Sequence, residues 1–447
     1  MDRVDRDLGE YRLLARIAKG GQSEVFLAAR SGPHGFFRPV VIKAIPDQFK
    51  GERKLEALFY QEATISSRFS HPHVVTVHDA RRVGSEHFMV MDYVAGQTVA
   101  DLAGRALKAG TALTFEEALL IGCDACRGLG YVHSFEDIDC EEYRIVHCDI
   151  SPQNLIVTYS GVTRVFDFGI SQVVGESGKL KSELVGGKYS YMSPEQCRGE
   201  DVDARSDIFS LGVILYELIT RRRLFRRKSQ EEVVAAVTEE PIAAPSEILP
   251  ELGADVDAVL MKALARDPEE RYQSAGDLLE DLEDLLDHRK LRKTSIRGGL
   301  GKKVAALFDE ERQAVADALH DAREEMSERV FQSGTDKALK KEPEEPAEPE
   351  GPTEREKELE GKLRVTKRDL EEITAKAHRA TEVASALTGE VTRLQHRQRW
   401  FMAALLILCA AVAVASLVVF TNGNGQGAQA LPTPTQAEAD EVAATEP

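Results

Sequence analysis

Apolar residues are distributed along this chain in three regimes. Through about residue 286, alternating segments around ARIAKGGQSEVFLAAR and RPVVIKAI have the period of two expected of strands joined by turns. EEALLIGCDACRGLGYVH and SDIFSLGVILYELIT repeat instead with a helical period. Residues 11–286 are therefore predicted to fold as a small β-rich lobe followed by a larger helical lobe, an α+β architecture. An amphipathic helix is expected at 300–332. In the acidic stretch 333–353, Pro343, Pro346, Pro349 and Pro352 recur three apart among glutamates, which favours an extended linker.

From Leu359 to Leu394 apolar or small residues recur at alternating steps of four and three. That period of about 3.5 is the signature of a coiled coil over 354–399. The run Trp400 to Phe420 follows, 21 residues with Ser416 as its only ordinary polar side chain. At about 1.5 Å rise per residue a helix of that length spans about 31 Å, the thickness of a bilayer core. A buried core helix is the alternative, but the aromatic residues at both ends suit interfacial anchoring. Arg393, Arg397 and Arg399 precede the run and no Lys or Arg follows it, which predicts a single-pass protein of the cytoplasmic membrane. The folded lobes would be cytoplasmic and the tail 421–447, poor in anything to bury, disordered outside. A coil entering the bilayer in one direction allows a parallel homodimer, or else a single unpaired helix with Ala377, Ala380 and Ala384 in its middle.

Charge sharpens this picture. The 447 residues carry 57 basic against 75 acidic side chains, a net charge of −18. Such a chain repels nucleic acid, which is not expected as a partner, and contact with anionic surfaces requires a local basic patch. Two basic clusters stand out, RRRLFRRK (Arg221 to Lys228) and HRKLRKTSIRGGLGKK after the lobes. Each reads first as solvated surface, and second as a docking site for acidic protein segments or anionic lipid. Six cysteines do not form a disulfide framework, and the N-terminus MDRVDRDLGE has no apolar stretch of the signal-peptide kind. Cys123 and Cys126 have CxxC spacing, yet they lie in a predicted helix without a second pair and read as small buried side chains.

Five separated signals occur in a fixed order. Ile17 to Val25 is a turn between strands whose Gly20 and Gly21 let backbone N–H groups approach phosphate oxygens. Lys43 ends the strand VVIK, where an ammonium can neutralise phosphate charge. Glu62 lies on a helical stretch that can turn it toward Lys43. In HCDISPQN, Asp149 can orient an acceptor hydroxyl, and Asn154 can offer an amide oxygen to magnesium. Asp167 in VFDFGIS is a hard carboxylate ligand beside a glycine.

With these in order, residues 11–286 resemble the eukaryotic-like Ser/Thr protein kinases found in bacteria. The resemblance implies a bilobal kinase fold, ATP and Mg²⁺ as cofactors, protein substrates and autophosphorylation. It implies that Lys43, Glu62 and Asp149 are catalytic and that Asn154 and Asp167 hold the metal. Nucleotide would be bound by Ile17, Gly20, Gly21, Val25, Lys43, the gatekeeper Met91, and Asp92 and Val94 of the hinge. Glu195 in YMSPE, Asp207 in SDIFSLG and Arg271 in DPEERY match further family positions. The departures are Ala18 and Ser23 where the family has glycines, Cys148 in place of arginine, and Ser151 in place of lysine. Lys188 stands where a threonine is usual, so lysine and hydroxyl look exchanged, with Lys188 supplying the ammonium and Ser151 its partner; an ordinary loop lysine is the alternative. These departures leave a binding module, a pseudokinase tethered as a scaffold, as the competing reading.

Overall fold

The computed structural model describes residues 2–20, 23–32, 36–136, 144–168, 188–288 and 293–339, with side chains of the last helix described to Met326. The N-terminal lobe is one antiparallel sheet of β1 (Asp2–Leu8), β2 (Tyr11–Lys19), β3 (Glu24–Ser31), β4 (Phe37–Ala44), β5 (Val77–Val83) and β6 (Glu86–Asp92). Its strand order is β1-β2-β3-β4-β6-β5. The edge strand β1 carries no apolar alternation and buries only Leu8. Charge holds it instead: Asp2 accepts from Arg16 at 2.7 Å, and Asp5 pairs at 2.6 Å with Arg12, itself only 5% exposed.

Period-two alternation gives the sheet two faces. Leu13, Phe26, Ala28, Val40, Ile42, Phe88 and Val90 form one cluster. On β4, Val41 and Lys43 therefore point to the other face, where Val25 sits opposite Lys43 in register and Leu27 opposite Val41. Helix α1 (Arg53–Ser66) packs on that second face through Phe59 and Ala63, against Val77 and Met89.

The C-terminal lobe begins with β7 (Gly96–Thr98), α2 (Val99–Lys108) and α3 (Phe115–His133) and continues through β8 (Leu155–Thr158) and β9 (Thr163–Val165), which complete a small sheet of order β7-β8-β9. Helices α4 (Pro194–Arg198), α5 (Ala204–Thr220), α6 (Gln230–Thr238), α7 (Pro245–Ile248), α8 (Ala254–Ala263) and α9 (Ala275–His288) follow. A capping box starts α3: the Thr114 hydroxyl accepts from the Glu117 N–H, and the Glu117 carboxylate from the Thr114 N–H. Helices α3 and α5 are buried along most of their length and share the largest core cluster. Cys123 and Cys126 lie in that core as free thiols. Burial pushes Cys123 up to about 12 and Cys126 well above its ordinary value, so both stay protonated.

The helix expected at 300–332 is two helices, α10 (Lys293–Leu307) and α11 (Asp309–Leu339), and α11 runs into the residues expected to be linker. Part of the second basic cluster is not solvated surface: α10 turns Lys293, Arg297 and Lys303 onto the chain's own acids, while Lys302 stays exposed. Arg297 donates to both oxygens of Asp124, a fully buried residue of α3, at 2.6 and 2.8 Å and to the Gly161 carbonyl at 3.0 Å. Lys303 pairs with Glu117, and Lys293 with Glu283 at 3.1 Å. The approach leaves no space for side chains: a Cβ on Gly161 would lie 2.1 Å from the Arg297 carbonyl, and one on Gly301 2.7 Å from that of Tyr159.

Helix α11 then reaches the other lobe. Val315, Ala322 and Met326 pack against Leu14, Ala15, Leu27 and Ala29, with Tyr93 of the interlobe connection at the margin. Glu325 accepts from the buried Arg12 at 2.7 Å. Between the helices Arg105 lies over the Phe308 ring and pairs with Glu311. One extension is thus fastened to both lobes, on the N-lobe side to the face that carries Lys43. Among the described residues no helix is both long and apolar enough to cross a membrane. The expected coiled coil, span and tail lie outside the described residues.

Removing a partner from a buried ion pair leaves an undercompensated charge. Arg297→Ala is expected to lower the unfolding free energy by about 2–4 kcal/mol, and Lys302→Ala, at an exposed position of the same helix, by less than about 0.5 kcal/mol. Urea unfolding of the two variants measures this; equal stabilities would show that the Arg297 contact holds nothing together.

Candidate active site

Lys43 and Glu62 meet because strand and helix periodicity aim them at the same space. Lys43 leaves the α1 face of β4, and Glu62, next to the buried Ala63, occupies the inner edge of α1. The ammonium donates to Glu62 at 2.8 Å and also to Asp167. Lys43 and Glu62 are largely withdrawn from water, their side chains 12% and 16% exposed, and Asp167 is half-buried. Burial alone would depress the lysine's pKa, but the two carboxylates outweigh it and hold the ammonium charged. Glu62 is pushed up to about 7 by burial and by Asp167, against the pull of Lys43. One cation thus serves two anions.

The loop before β8 carries the second group. Asn154 donates through its side-chain amide to the carbonyl and a carboxylate oxygen of Asp149 at 2.8 and 3.0 Å. Its own carbonyl accepts from the Phe166 N–H at 3.1 Å, which sets Asp167 one residue beyond that link. Asp149, Asn154 and Asp167 are thereby placed on adjoining backbone. The set suits a hard divalent cation: Asn154 spends its N–H on Asp149, leaving an amide oxygen, and Asp167 supplies a carboxylate.

The loop is gripped from beneath by Asp207, in the first turn of α5 and 1% exposed. Its carboxylate accepts from the His147 N–H at 2.8 Å, the Cys148 N–H at 2.9 Å and the His133 ring at 2.8 Å. Cys148 has φ 62°, a left-handed conformation that disfavours a residue with a Cβ. It is held there by Asp207 on one side and by Gln196, which donates to its carbonyl at 2.8 Å, on the other. Burial and the Asp207 and Asp149 charges keep the thiol protonated. Asp167 is the other non-glycine site residue in this region, at φ 60°. Nearby, Glu195 and Arg271 form a buried two-pronged pair at 2.6 and 2.7 Å, with Ser206 donating to Glu195 at 2.6 Å. Burial would raise the pKa of Glu195, but these partners bring it below the ordinary value.

The remaining expected residues surround this centre. The Gly20 N–H donates to the Ser23 carbonyl at 2.8 Å, closing a tight turn; Gly21 lies outside the described residues. Val25 sits opposite Lys43 in register, while Ile17, 45% exposed, lies two residues before the end of β2. Met91 packs beside Ile45 and Phe59, and the Asp92 N–H donates to the Thr76 carbonyl at 3.0 Å, fixing the start of the connection that includes Val94. The Asp92 carboxylate takes His78 at 2.7 Å and Arg38 at 3.2 Å. Ser151 is buried. Lys188 opens a short 3₁₀ turn, Lys188–Tyr191, but its side chain is outside the described residues, so its exchange with Ser151 is not decided. The supporting bonds from Asp207 and Gln196 to Cys148 were not foreseen. SDIFSLG had signalled the helix, but no sequence spacing says which amides a buried carboxylate will receive.

Residues 11–288 match the family model "Protein kinase domain". The chain is 36% identical over 307 residues to the tyrosine-protein kinase MasK of Myxococcus xanthus, covering 68% of this chain and 47% of that protein. It is 33% identical over 316 residues to a probable serine/threonine-protein kinase of Streptomyces coelicolor, covering 69% and 44%. With the serine/threonine-protein kinase PknB of Mycobacterium tuberculosis it shares 35% over 279 residues, covering 61% and 42%. The chain thus spans less than half the length of these relatives.

The raised pKa of Glu62 has a defined stability signature. Between its ordinary value of 4.5 and about 7, the folded protein keeps a proton that the unfolded chain has released. The contribution of Glu62 is therefore fully present below that window and falls as pH rises through it. Relative to Glu62→Gln, the parent is expected to lose roughly 1–3 kcal/mol between pH 4.5 and 7. Denaturant unfolding of both proteins across that range checks this, and parallel profiles would refute it.

Proposed function

Because the chain belongs to the protein kinase family, we propose that it transfers the γ-phosphoryl group of ATP to Ser and Thr hydroxyls of proteins, itself included. The observation that carries this reading is the ordered pair of clusters: Lys43 held by Glu62, and Asp149 tied to Asn154 on a loop clamped by Asp207. Phosphoryl transfer asks mainly for positioning and charge stabilisation. Lys43 neutralises the α- and β-phosphates, and Glu62 keeps its ammonium from collapsing entirely onto Asp167. Asp149 orients the acceptor hydroxyl and takes up its proton. Asn154 and Asp167 would hold Mg²⁺, which when bound offsets phosphate charge. The hinge from Met91 through Val94, with Ile17 and Val25, encloses the base. Two of the three relatives above are named serine/threonine-protein kinases, which supports those hydroxyls, and the third, MasK, is named a tyrosine-protein kinase.

The exchange of Lys188 and Ser151 is proposed to return the ammonium missing from the loop, since Ser151 is buried three residues before Asn154 and the backbone of Lys188 opens the turn leading to Glu195. The scaffold alternative draws only on the departures from the family pattern. Incorporation of γ-phosphate by the full chain with Mg-ATP, followed by phosphoamino-acid analysis, tests both readings. Asp149→Asn and Lys43→Met should each lose about 10²–10⁴-fold in rate while the protein stays folded. Lys188→Thr should be similarly impaired, and adding Ser151→Lys should restore much of the loss. Equal rates in parent and Asp149→Asn would sink the enzyme, and additive effects at Lys188 and Ser151 would sink the exchange.

Anchoring of the protein in the cytoplasmic membrane by Trp400 to Phe420, with the lobes cytoplasmic and coils at 354–399 pairing in parallel, is proposed from the sequence pattern. The chain should remain with membranes after a high-salt wash and leave them when 400–420 are deleted; release of the intact chain by salt would exclude the anchor.

A further inference from the structure

The basic run Arg221–Lys228 differs from the cluster on α10 in having charges left over. It begins at the C-cap of α5, where Arg221 has φ 57°, and Phe225, 2% exposed, anchors it by stacking on Phe209. Glu217 fixes its course, accepting from the Leu224 N–H at 3.0 Å and from Arg223 at 2.7 Å. Arg227 pairs with Glu240. Arg221, Arg222 and Arg226 are exposed and, among the described residues, have no carboxylate within ion-pair distance. In a chain of net charge −18, three guanidinium groups lining one cleft, with no ion-pair partner among the described residues, form a local positive field against the prevailing one.

These arginines rim a cleft of about 300 Å³ whose wall includes Ala103, Leu107, Pro152 and Leu218. Leu107 is a large apolar side chain left 58% exposed. The cleft adjoins the reaction centre from two directions. Pro152 lies three residues beyond Asp149 on the clamped loop, and its carbonyl is bonded to Ala100 at 2.9 Å. Glu217 also accepts from the Tyr191 hydroxyl at 2.8 Å, joining the cleft to the turn begun by Lys188.

We propose that the cleft docks an acidic segment of the protein substrate, its carboxylates on Arg221, Arg222 and Arg226 and its apolar atoms against Leu107 and Leu218. This rests on the reading of the chain as a kinase and adds to it a substrate class: proteins whose acceptor hydroxyl lies near Asp or Glu. Arginine suits the task, because its planar fork takes a carboxylate through two hydrogen bonds. A concave, partly apolar cleft beside the catalytic loop favours a peptide over a flat lipid surface.

The test uses the full chain and two fluorescein-labelled dodecapeptides with a central Ser, one flanked by Glu and Ala and the other by Lys and Ala. The Glu peptide is expected to bind about tenfold or more tightly, with the preference shrinking as salt is raised. Arg221→Glu/Arg222→Glu/Arg226→Glu should reverse the preference, and Arg226→Glu alone should reduce it should the triple variant fold poorly. As phosphate acceptors the peptides should rank in the same order by kcat/KM. Phosphate transfer without charge discrimination would overturn the docking site, whereas charge-selective binding without transfer to any acceptor would overturn the kinase reading alone. Two results would reassign the cleft and defeat substrate docking. One is arginine-dependent binding to phosphatidylserine vesicles with no peptide preference. The other is a tenfold gain in Glu-peptide affinity on deleting 343–353, which would make the chain's own acidic linker the occupant.

Discussion

A single buried carboxylate underlies the reactive geometry. Asp207 reaches up from the first turn of α5 and receives two consecutive backbone N–H groups and an imidazole. Three donors on one anion in a dry interior make a strong site. Its strength is used against a backbone that would not otherwise settle, because Cys148 sits in the left-handed region without the freedom of glycine. Were that peptide to relax, Asp149 would turn with it, and the amide of Asn154 would lose both of its acceptors. Helix α5 can supply such a foundation because its remaining side chains are buried over nearly the whole helix, so the anchor does not move.

Above this foundation the charges are deliberately unequal. Lys43 stands between Glu62 and Asp167, and one positive charge cannot satisfy both. Burial, joined by the nearby Asp167, raises the pKa of Glu62 against the pull of Lys43. A site left with excess negative charge and oxygen donors is suited to receive a cation, whereas a neutral triad would not be. By contrast Glu195 and Arg271 are matched two bonds to two and carry Ser206 as well, as befits a strut.

Local order was legible in the sequence; long-range partners were not. Lys43, Glu62, Asp149, Asn154 and Asp167 could be picked out because each lies in a short motif with its own periodicity, and the lobes followed from the change of period between VVIK and EEALLIGCDACRGLGYVH. Strand β1 was invisible because the usual signal is apolar alternation, and here Asp2, Asp5 and Arg6 do the pairing through charge. The basic cluster on α10 was misread for a related reason. A lysine- and arginine-rich segment looks solvated unless its acidic counterpart is known, and Asp124 is 173 residues away in sequence, hidden in a helix that otherwise reads as core. Gly161 and Gly301 likewise acquire meaning only when two backbones meet.

The docking of α10 and α11 has a consequence for where this protein ends as a folding unit. The region shared with the kinase family closes at residue 288, yet the cooperative body does not. Cut there, the chain would expose Leu14, Leu27 and Ala29, leave buried Asp124 only Arg127 and the Thr163 N–H among its close partners, and leave Arg12 without Glu325. The end of the family-model match and the end of the packed body therefore fall some forty residues apart, counting to at least Met326. The two lobes thus borrow their rigidity from sequence that no catalytic motif would mark.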